Sequence, residues 1–390
     1  MSSGTSPTPA ELRAAFDATE PLTVGLEEEL MLLDPETLDL WPRAHALLSR
    51  LDGDPRFKLE LPASQLEIVT APRRSVAEAV GELARGRIEL ADAARGSARP
   101  AAAAVHPLAP PEGELNSDGR YLHTIRGYGP VARRQLVSAL QVHVALGDAD
   151  LTLAVHDALR SYLPELAALA ANGPFYGGAD TELASVRPKI GESLPRQGIP
   201  PPLESWEGFA EALRWGRRAD VVPAAGVWWW ELRPNINFGT LEIRVPDAQT
   251  TVAEAAAVAA VAHALVARLA ASAGAGEPLP VHASWRIAEN RWLACRHGVE
   301  GSLADLTTGA RRPARERLHE LLDELQPAAE RLGCSAELAS ARSLVAENGA
   351  MRQRAAASEL GLRALPGWLA DRFLPRTPSP PPLGVRESKQ

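Results

Sequence analysis

The sequence predicts an α+β protein organised around an antiparallel sheet. Several short segments alternate apolar and polar residues, as strands with one buried face do. The predicted strands and helices follow one another in a mixed order rather than in a regular strand–helix series, which favours antiparallel pairing. The sequence has neither a GxxxxGK[ST] loop nor a GxGxxG turn after a strand, so it belongs to neither the P-loop nor the Rossmann class.

Hydrophobic periodicity and turn residues place each element along the chain. Loops as long as the Gly- and Pro-rich stretch over residues 174–206 usually serve as lids or binding loops. In chain order we predict a strand over 23–33, two strands over 58–72 divided by a turn at 62–64, a helix over 75–98, a strand over 100–110, a strand within 133–148, a helix over 150–173, that long loop, two strands over 226–247 joined near 235–239, a buried Ala-rich helix over 250–274, and helices near 312–332, 336–347 and 352–373.

Composition limits the classes of partner. The 390 residues are 45% apolar and 23% charged, and the net charge of −8 argues against nucleic acid or an anionic membrane as a partner. Two cysteines, Cys295 and Cys334, form no disulfide framework and predict a cytoplasmic protein. No uninterrupted apolar run reaches the roughly 20 residues of a membrane-spanning helix. The composition leaves a homo-oligomer open.

The two ends of the chain are rich in proline and small polar residues. We predict a disordered N-terminus over residues 1–20, a single catalytic domain over 21–375 and a disordered tail over 376–390. The start also lacks the basic and apolar regions of a signal peptide.

Four predicted strands pair an aliphatic face with a charged or polar face, because side chains two residues apart share a face. In "TLEIRV" an acid and a base lie side by side between aliphatic residues. The polar faces carry Glu27 and Glu29, Gln65 and Glu67, Gln141 and His143, and Glu242 and Arg244, with Glu60 just before the second pair.

Five glutamates placed together would repel one another unless cations neutralise them. Oxygen-rich ligation of this kind suits Mg²⁺ or Mn²⁺, and such ions together with arginines are a device for phosphoryl transfer from ATP. The alternative is an antiparallel sheet with one wet face, the commonest cause of such alternation. In that case Glu242 and Arg244 form an exposed ion pair, and His143 is structural.

The chain resembles the glutamate–cysteine ligase type 2 family, in its carboxylate–amine ligase branch. The resemblance runs from about Leu22 to about Ala355. It is carried by seven motifs in order: "TVGLEEEL", "LELPASQLEIVT", "VHPLA", "LQVHVALGD", "ANGPFYGGADTELASVR", "WWWELRPNINFGTLEIRVPD" and "ENRWLACRHG".

The resemblance implies a glutamine-synthetase-like fold, a curved antiparallel sheet with helices on its outer side. It also implies an ATP-dependent carbon–nitrogen ligase that activates an acid, usually L-glutamate, as an acyl phosphate for attack by an amine, usually that of cysteine. The positions that match metal and nucleotide-phosphate ligands are Glu27, Glu29, Glu60, Glu67, His143 and Glu242. The positions that match contacts to phosphoryl oxygens and the acidic substrate are Arg187 and Arg244, with Arg233 as a further candidate.

Three departures from the family pattern lie in substrate-loop sequence or next to it: Gln141 in the HVHV motif, Val186 in place of a tyrosine, and "PKIGESLPRQGIPP" in place of a W-x-R-W-P pattern. They leave the amine, and with it the acid, open. Three readings therefore remain: an ATP-dependent ligase, a catalytically lapsed small-molecule-binding relative, and a guanidino kinase. A kinase of that type would use a reactive cysteine, but both cysteines lie outside the predicted catalytic strands.

Overall fold

A seven-stranded antiparallel sheet carries the site in the computed structural model, which describes residues 7–117, 119–222 and 225–374. Its strand order is β2-β3-β1-β5-β9-β8, and β4 pairs with the C-terminal end of β1. These strands are β1 (Val24–Leu33), β2 (Phe57–Leu59), β3 (Gln65–Val69), β4 (Arg99–Ala101), β5 (Leu140–Ala145), β8 (Leu232–Asn235) and β9 (Thr240–Ile243). Two small hairpins lie outside this sheet, β6 (Phe175–Tyr176) with β7 (Ala179–Asp180), and β10 (Ser302–Ala304) with β11 (Arg311–Pro313).

Helices pack on the apolar face of the sheet, where α9 contacts β5 and α3 contacts β1. By length and composition α9 could cross a membrane, but 78% of its most apolar stretch is buried inside the protein, as in a core helix. The helices are α1 (Pro9–Asp17), α2 (Ala44–Leu48), α3 (Val76–Ala94), α4 (Gly119–Tyr128), α5 (Ala149–Leu159), α6 (Leu163–Ala170), α7 (Arg187–Gly191), α8 (Trp206–Arg218), α9 (Val252–Gly274), α10 (Ser284–His297), α11 (Ala314–Leu332), α12 (Ser335–Ala346), α13 (Gly349–Leu360) and α14 (Leu365–Ala370).

A fully buried ion pair joins the helical layer to the central strand. Glu28 points to the helix side of β1, opposite to its two glutamate neighbours, and accepts hydrogen bonds from Arg87 of α3 at 2.8 and 2.5 Å. Arg87 also donates to the carbonyl oxygens of Gln249, Thr250 and Phe373. One guanidinium thus ties together β1, the segment after β9 and the C-terminal end of the described chain.

The predicted strands of the main sheet are confirmed at β1, β2, β3, β5, β8 and β9, and the buried helix is confirmed at α9. The strand predicted over 100–110 shortens to β4. The helix predicted over 150–173 is two helices, because Pro164 in the first turn of α6 lacks the N–H that a continuous helix needs. The loop over 174–206 contains the β6–β7 hairpin and α7, and the β10–β11 hairpin interrupts the helical C-terminal part.

The prediction of disorder over residues 1–20 is wrong for α1. Thr8 caps this helix in a capping box with Glu11, and Pro9 occupies its first turn. Leu12 and Phe16 are buried, and the Phe16 ring lies 4.8 Å from that of Trp206 in α8. The Thr-x-x-Glu signature is visible in the sequence. The disorder predicted over residues 1–6 and in the tail over 376–390 falls outside the described residues, and the single-domain assignment over 21–375 stays a prediction.

Candidate active site

The antiparallel register brings the polar faces of five strands into one surface. Glu29 lies opposite Glu67, and Glu27 lies opposite Gln141. Glu242 lies between His143 on one neighbouring strand and Arg233 on the other. The predicted sharing of faces is therefore confirmed.

This surface forms the floor of a cavity of about 460 Å³. Its opposite walls come from α4, the loop after α7 and the segment before β8, which contribute Tyr121, Leu194 and Trp229. Of the predicted site residues, those that line the cavity are Glu27, Glu29, Glu60, Glu67, Arg187, Arg233 and Arg244.

Glu242 is the centre of a buried charge network. Its Oε1 accepts hydrogen bonds from Arg233 and Arg244, and its Oε2 accepts from Arg233 and Asn235. Burial alone would raise the pKa of Glu242, but the two guanidinium groups hold it well below the ordinary value. The alternative of an exposed surface ion pair is wrong, because the Glu242 side chain is 0% exposed.

Glu27, His143 and Glu242 are the three predicted ligands that the structure brings together. One ligand atom from each lies within 4.8 Å of the others. His143 Nδ1 is 2.9 Å from Thr240 Oγ1, while its buried Nε2 has no hydrogen-bond partner in the described part of the chain and lies 3.6 Å from a Glu27 oxygen. When Nδ1 donates to Thr240, the lone pair of Nε2 faces the two carboxylates, as a metal-binding histidine requires.

The donor set thus fits a divalent cation at Glu27 and His143. Glu242 is less suited to the predicted ligand role, since four hydrogen bonds from protein donors already bind its two carboxylate oxygens. Burial would raise the pKa of Glu27, but His143 in its protonated form outweighs burial and lowers the pKa below the ordinary value. Glu27 is therefore a carboxylate, the form that binds a cation.

Glu29, Glu60 and Glu67 line the same cavity but lie outside that three-residue cluster. Glu29 accepts from the backbone N–H of Ala139 and from Gln141, at 2.7 and 2.9 Å. Burial raises the pKa of Glu29, and burial together with Glu60 and Glu27 raises the pKa of Glu67 well above the ordinary value. The neighbouring Lys58, Arg187 and Arg244 do not offset this burial, so Glu29 and Glu67 are suited to gain a divalent cation.

The three predicted arginines differ in how many of their guanidinium nitrogens already donate hydrogen bonds to the protein. Arg233 gives Nε, Nη1 and Nη2 to Glu242 and two backbone carbonyls, so its predicted catalytic role is less supported than an anchoring role. Arg187 donates to the carbonyls of Arg244 and Val245. Arg244 uses only Nη1, toward Glu242 and Gln141. Its Nε and Nη2 have no partner among the described residues and are available to a substrate.

A second cavity, of about 330 Å³, adjoins the first. Glu27 and the half-exposed Phe238 line both cavities, and His143 lines the second. The Phe238 and His143 rings meet edge to face at 5.6 Å. The remaining wall is largely apolar or carries threonines, from Thr19, Glu20, Thr23, Gly25, Leu26, Val69, Thr70, Pro72, Ala145 and Thr240.

The sequence analysis missed Lys58, a cation that lines the first cavity. Lys58 lies opposite Glu67 in the strand register, with Nζ 3.8 Å from a carboxylate oxygen. Its signal was available, because Lys58 precedes Glu60 by two residues in the same alternating segment. Asn235 and Thr240, which orient Glu242 and His143, carried no comparable signal.

Comparison with known proteins identifies the family. The sequence model of "Glutamate-cysteine ligase family 2 (GCS2)" matches residues 23–359. The chain belongs to glutamate–cysteine ligase family 2. Among family 2 relatives, a Rubrobacter xylanophilus protein provisionally named glutamate–cysteine ligase 2-3 is 37% identical over 92% of this chain and 99% of its own length. A Frankia casuarinae protein provisionally named glutamate–cysteine ligase 2-1 is 33% identical over 90% of this chain and 94% of its own.

Solved structures confirm the fold predicted from the family 2 resemblance. Glutamate–cysteine ligase from Francisella tularensis, solved in complex with AMP, superimposes with a TM-score of 0.67 at 13% identity, over 90% of this chain and 88% of that chain. A bifunctional glutathione synthetase from Pasteurella multocida gives a TM-score of 0.64 at 15% identity, over 93% of this chain and 53% of that chain. The fold is that of these ligases, a curved antiparallel sheet with helices on its outer side.

Membership of family 2 makes this protein an ATP-dependent ligase of small molecules. The environment of Cys295 also argues against a guanidino kinase. Cys295 is buried, its thiol donates to the Ser185 carbonyl, and burial raises its pKa to about 11. Such a thiol is not the reactive group that a guanidino kinase would use.

Proposed function

We propose that this protein joins the γ-carboxylate of L-glutamate to an amine through an acyl phosphate made from ATP, with cysteine as the first candidate amine. The observation that carries the proposal is the unpartnered Nε2 of His143, buried beside Glu27 where two cavities meet. A nucleotide triphosphate with its Mg²⁺ or Mn²⁺ would satisfy this atom and place charge where the acids need it.

The two cavities divide the substrates between them. The second cavity suits the base and ribose of ATP, since its walls are mostly apolar and it ends at His143 and Glu27. The γ-phosphate then reaches the first cavity, where Arg244 keeps free donors. The complex with AMP of the Francisella tularensis ligase supports a nucleotide on this fold.

The reaction takes two steps. A carboxylate oxygen of the acid attacks the γ-phosphorus, and the bond from that phosphorus to the bridging oxygen breaks to release ADP. The amine nitrogen then attacks the acyl carbon, the bond from that carbon to the phosphate oxygen breaks, and the nitrogen loses a proton. A divalent cation would hold the phosphates and offset their charge. Arg244 would stabilise charge on the transferred phosphoryl group through Nε and Nη2.

The names of the relatives support glutamate and cysteine as the substrate pair. One observation favours a second candidate, a ligase that uses a different amine. Leu194, Gln197 and Gly198 line the first cavity, and they belong to the segment that departs from the family pattern. A cytoplasmic location stays a prediction from cysteine usage, and so does any homo-oligomer.

The test is release of ADP by the purified protein with ATP, Mg²⁺, L-glutamate and a panel of amines that includes L-cysteine, with products identified by mass spectrometry. We expect ADP release that requires both the acid and an amine, together with a new amide. A phosphorylated product that accumulates without an amide would support a kinase. No turnover with any acid or amine would overturn the proposal in favour of a lapsed relative.

A further inference from the structure

A segment that precedes the family-matched residues forms part of the second cavity. The family match begins at residue 23, yet Thr19 and Glu20 line this cavity beside Thr23. The segment 15–20, from the end of α1 into the following loop, precedes the matched residues and contributes two residues to the cavity wall.

Two glycines let catalytic-sheet turns approach this segment more closely than any side chain would allow. At Gly239, in the β8–β9 turn, an added Cβ would lie 2.1 Å from the Ala15 carbonyl oxygen and 2.6 Å from Thr19 Cγ2. At Gly147, after β5, an added Cβ would lie 2.9 Å from the Thr19 carbonyl oxygen. Both glycines have positive φ, +65° and +68°. The segment is thus wedged between two turns that end strands of the active sheet.

The segment has its own firm anchor. Leu12 and Phe16 are buried under α8, and Asp17 accepts from the backbone N–H of Ala149 at the start of α5, at 2.8 Å. Arg13 donates two hydrogen bonds to the Asp150 carboxylate in a bidentate ion pair. A turn that rests on this anchor is held in place from outside the sheet.

The turn that rests there carries a site residue. Phe238 precedes Gly239, is 50% exposed, and forms the partition that lines both cavities against His143. A shift of Gly239 away from Ala15 would move Phe238 with it, since the two residues are joined by one peptide bond. The width of the second cavity therefore depends on segment 15–20.

We propose that segment 15–20 positions the nucleotide, as a wall of its subsite through Thr19 and Glu20 and as a brace that sets Phe238 through Gly239. This inference rests on the proposed function, which places the base of ATP in the second cavity. Residues 15–20 act on the position of the nucleotide and take no part in the chemical steps.

The main test is Gly239→Ala against Gly309→Ala. Gly309 also has a positive φ, +78°, in a hairpin turn, but an added Cβ there would meet nothing within 4 Å. Both variants carry the same backbone cost, and only Gly239→Ala pushes on Ala15. We expect Gly239→Ala to weaken binding of the β,γ-imido analogue of ATP about tenfold, equal to about 1.4 kcal/mol, and to raise the KM for ATP by a similar factor. The KM for glutamate should change less, because segment 15–20 does not line the first cavity.

A second variant covers the case in which Gly239→Ala fails to fold. Glu20→Ala removes a side chain of the cavity wall whose ion pair with Arg74, at 2.9 Å, is exposed and contributes little to stability. Arg74→Ala removes the same ion pair without touching the cavity, because Arg74 is not among its lining residues. We expect about a threefold loss of analogue binding in Glu20→Ala and none in Arg74→Ala.

Calorimetric titration of the folded proteins with the analogue separates the outcomes. The positioning role is overturned if the parent binds the analogue and the Gly239→Ala and Gly309→Ala variants bind it equally well. It is also overturned if Glu20→Ala and Arg74→Ala lose the same amount of binding. A parent that binds no analogue and turns over no ATP would overturn the proposed function instead.

Discussion

Arg244 directly follows β9, two residues after Glu242, and donates to the Glu242 carboxylate, which is completely buried. Arg233 approaches the same carboxylate from the neighbouring strand with two donors at 2.8 and 2.9 Å. One buried acid therefore orients two guanidinium groups, and Arg244 keeps Nε and Nη2 without a partner among the described residues. Arg233 is therefore suited to anchor Glu242, and Arg244 is suited to bind a substrate.

We expect Arg244→Lys to lower kcat about a hundredfold while it changes ATP binding much less. Lysine keeps the charge but loses the planar fork that could hold Glu242 with one nitrogen and a phosphoryl oxygen with the others. A contact that matters mainly as charge develops lowers kcat more than it raises KM. Steady-state kinetics with ATP and glutamate measure this. The exposed Arg95 gives a matched control, Arg95→Lys, and equal activity in the two variants would place Arg244 outside the reaction.

The next prediction concerns the cation. Mn²⁺ should raise the melting temperature of the parent, because a ligand that binds only the folded state stabilises it. His143→Ala should lose most of this rise, with Mn²⁺ affinity about tenfold lower or worse. Thermal melts with and without Mn²⁺ measure the effect without any need for turnover. The control is His45→Ala at an exposed position. An unchanged Mn²⁺ response in His143→Ala would remove His143 from the ligand set.

Glu67→Gln should stabilise the metal-free protein and abolish turnover. Burial and the neighbouring acids raise the pKa of Glu67, so the folded state resists its ionisation. As pH rises above 4.5, the ordinary value, the unfolded chain gives up this proton first, and the parent loses stability that the glutamine variant keeps. The gain at neutral pH should be on the order of 1 kcal/mol. Urea unfolding at pH 5 and pH 8 tests the sign, with the exposed Glu316→Gln as control. A metal-free Glu67→Gln protein that is less stable than the parent at pH 8 would contradict it.

A buried histidine of α9 predicts acid sensitivity. His263 of α9 is 0% exposed, its Nε2 donates to the Leu22 carbonyl at 2.9 Å, and burial lowers its pKa from 6.5 to about 4. Between these two pH values the unfolded chain binds a proton that the folded protein refuses, so stability falls as pH drops through that window. The loss approaches about 3 kcal/mol by the lower end, at about 1.4 kcal/mol for each pKa unit.

His263→Gln keeps a donor for Leu22 and cannot be protonated. The variant should therefore lose less stability than the parent between pH 7 and pH 5, as measured by urea midpoints. The exposed His319→Gln is the control, and it should follow the parent. Parallel pH profiles for the parent and His263→Gln would show that the histidine is accommodated in its charged form.

Sequence patterns predicted the catalytic strands well, because the alternation of apolar and polar residues in β1, β3, β5 and β9 can be recognised within each segment alone. They also predicted which side chains share a face. The register between strands was not predictable, because it depends on contacts between distant segments such as Glu29 opposite Glu67. The division of labour between Arg233 and Arg244 follows from that register, so no pattern in one strand could show it.

The N-terminal helix shows a different limit. Its first residues have a disordered composition, and the helix contributes few apolar side chains of its own. Leu12 and Phe16 become stabilising only when Trp206, far along the chain, covers them. The capping box Thr8–Glu11 was the local signal for this helix. The proline and serine content of the segment favoured disorder and outweighed that signal in the prediction.

The guanidinium of Arg87 has a consequence for synthesis of the protein on the ribosome. Its acceptors arrive in sequence: Glu28 precedes it, Gln249 and Thr250 follow, and the Phe373 carbonyl comes 286 residues later. A nascent chain that stops short of Phe373 has the strands of the active sheet but leaves a buried cationic donor without one of its acceptors. The hydrogen bonds of Arg87 are therefore complete only near the end of translation, and a chain that stops earlier has a buried donor that its core does not satisfy.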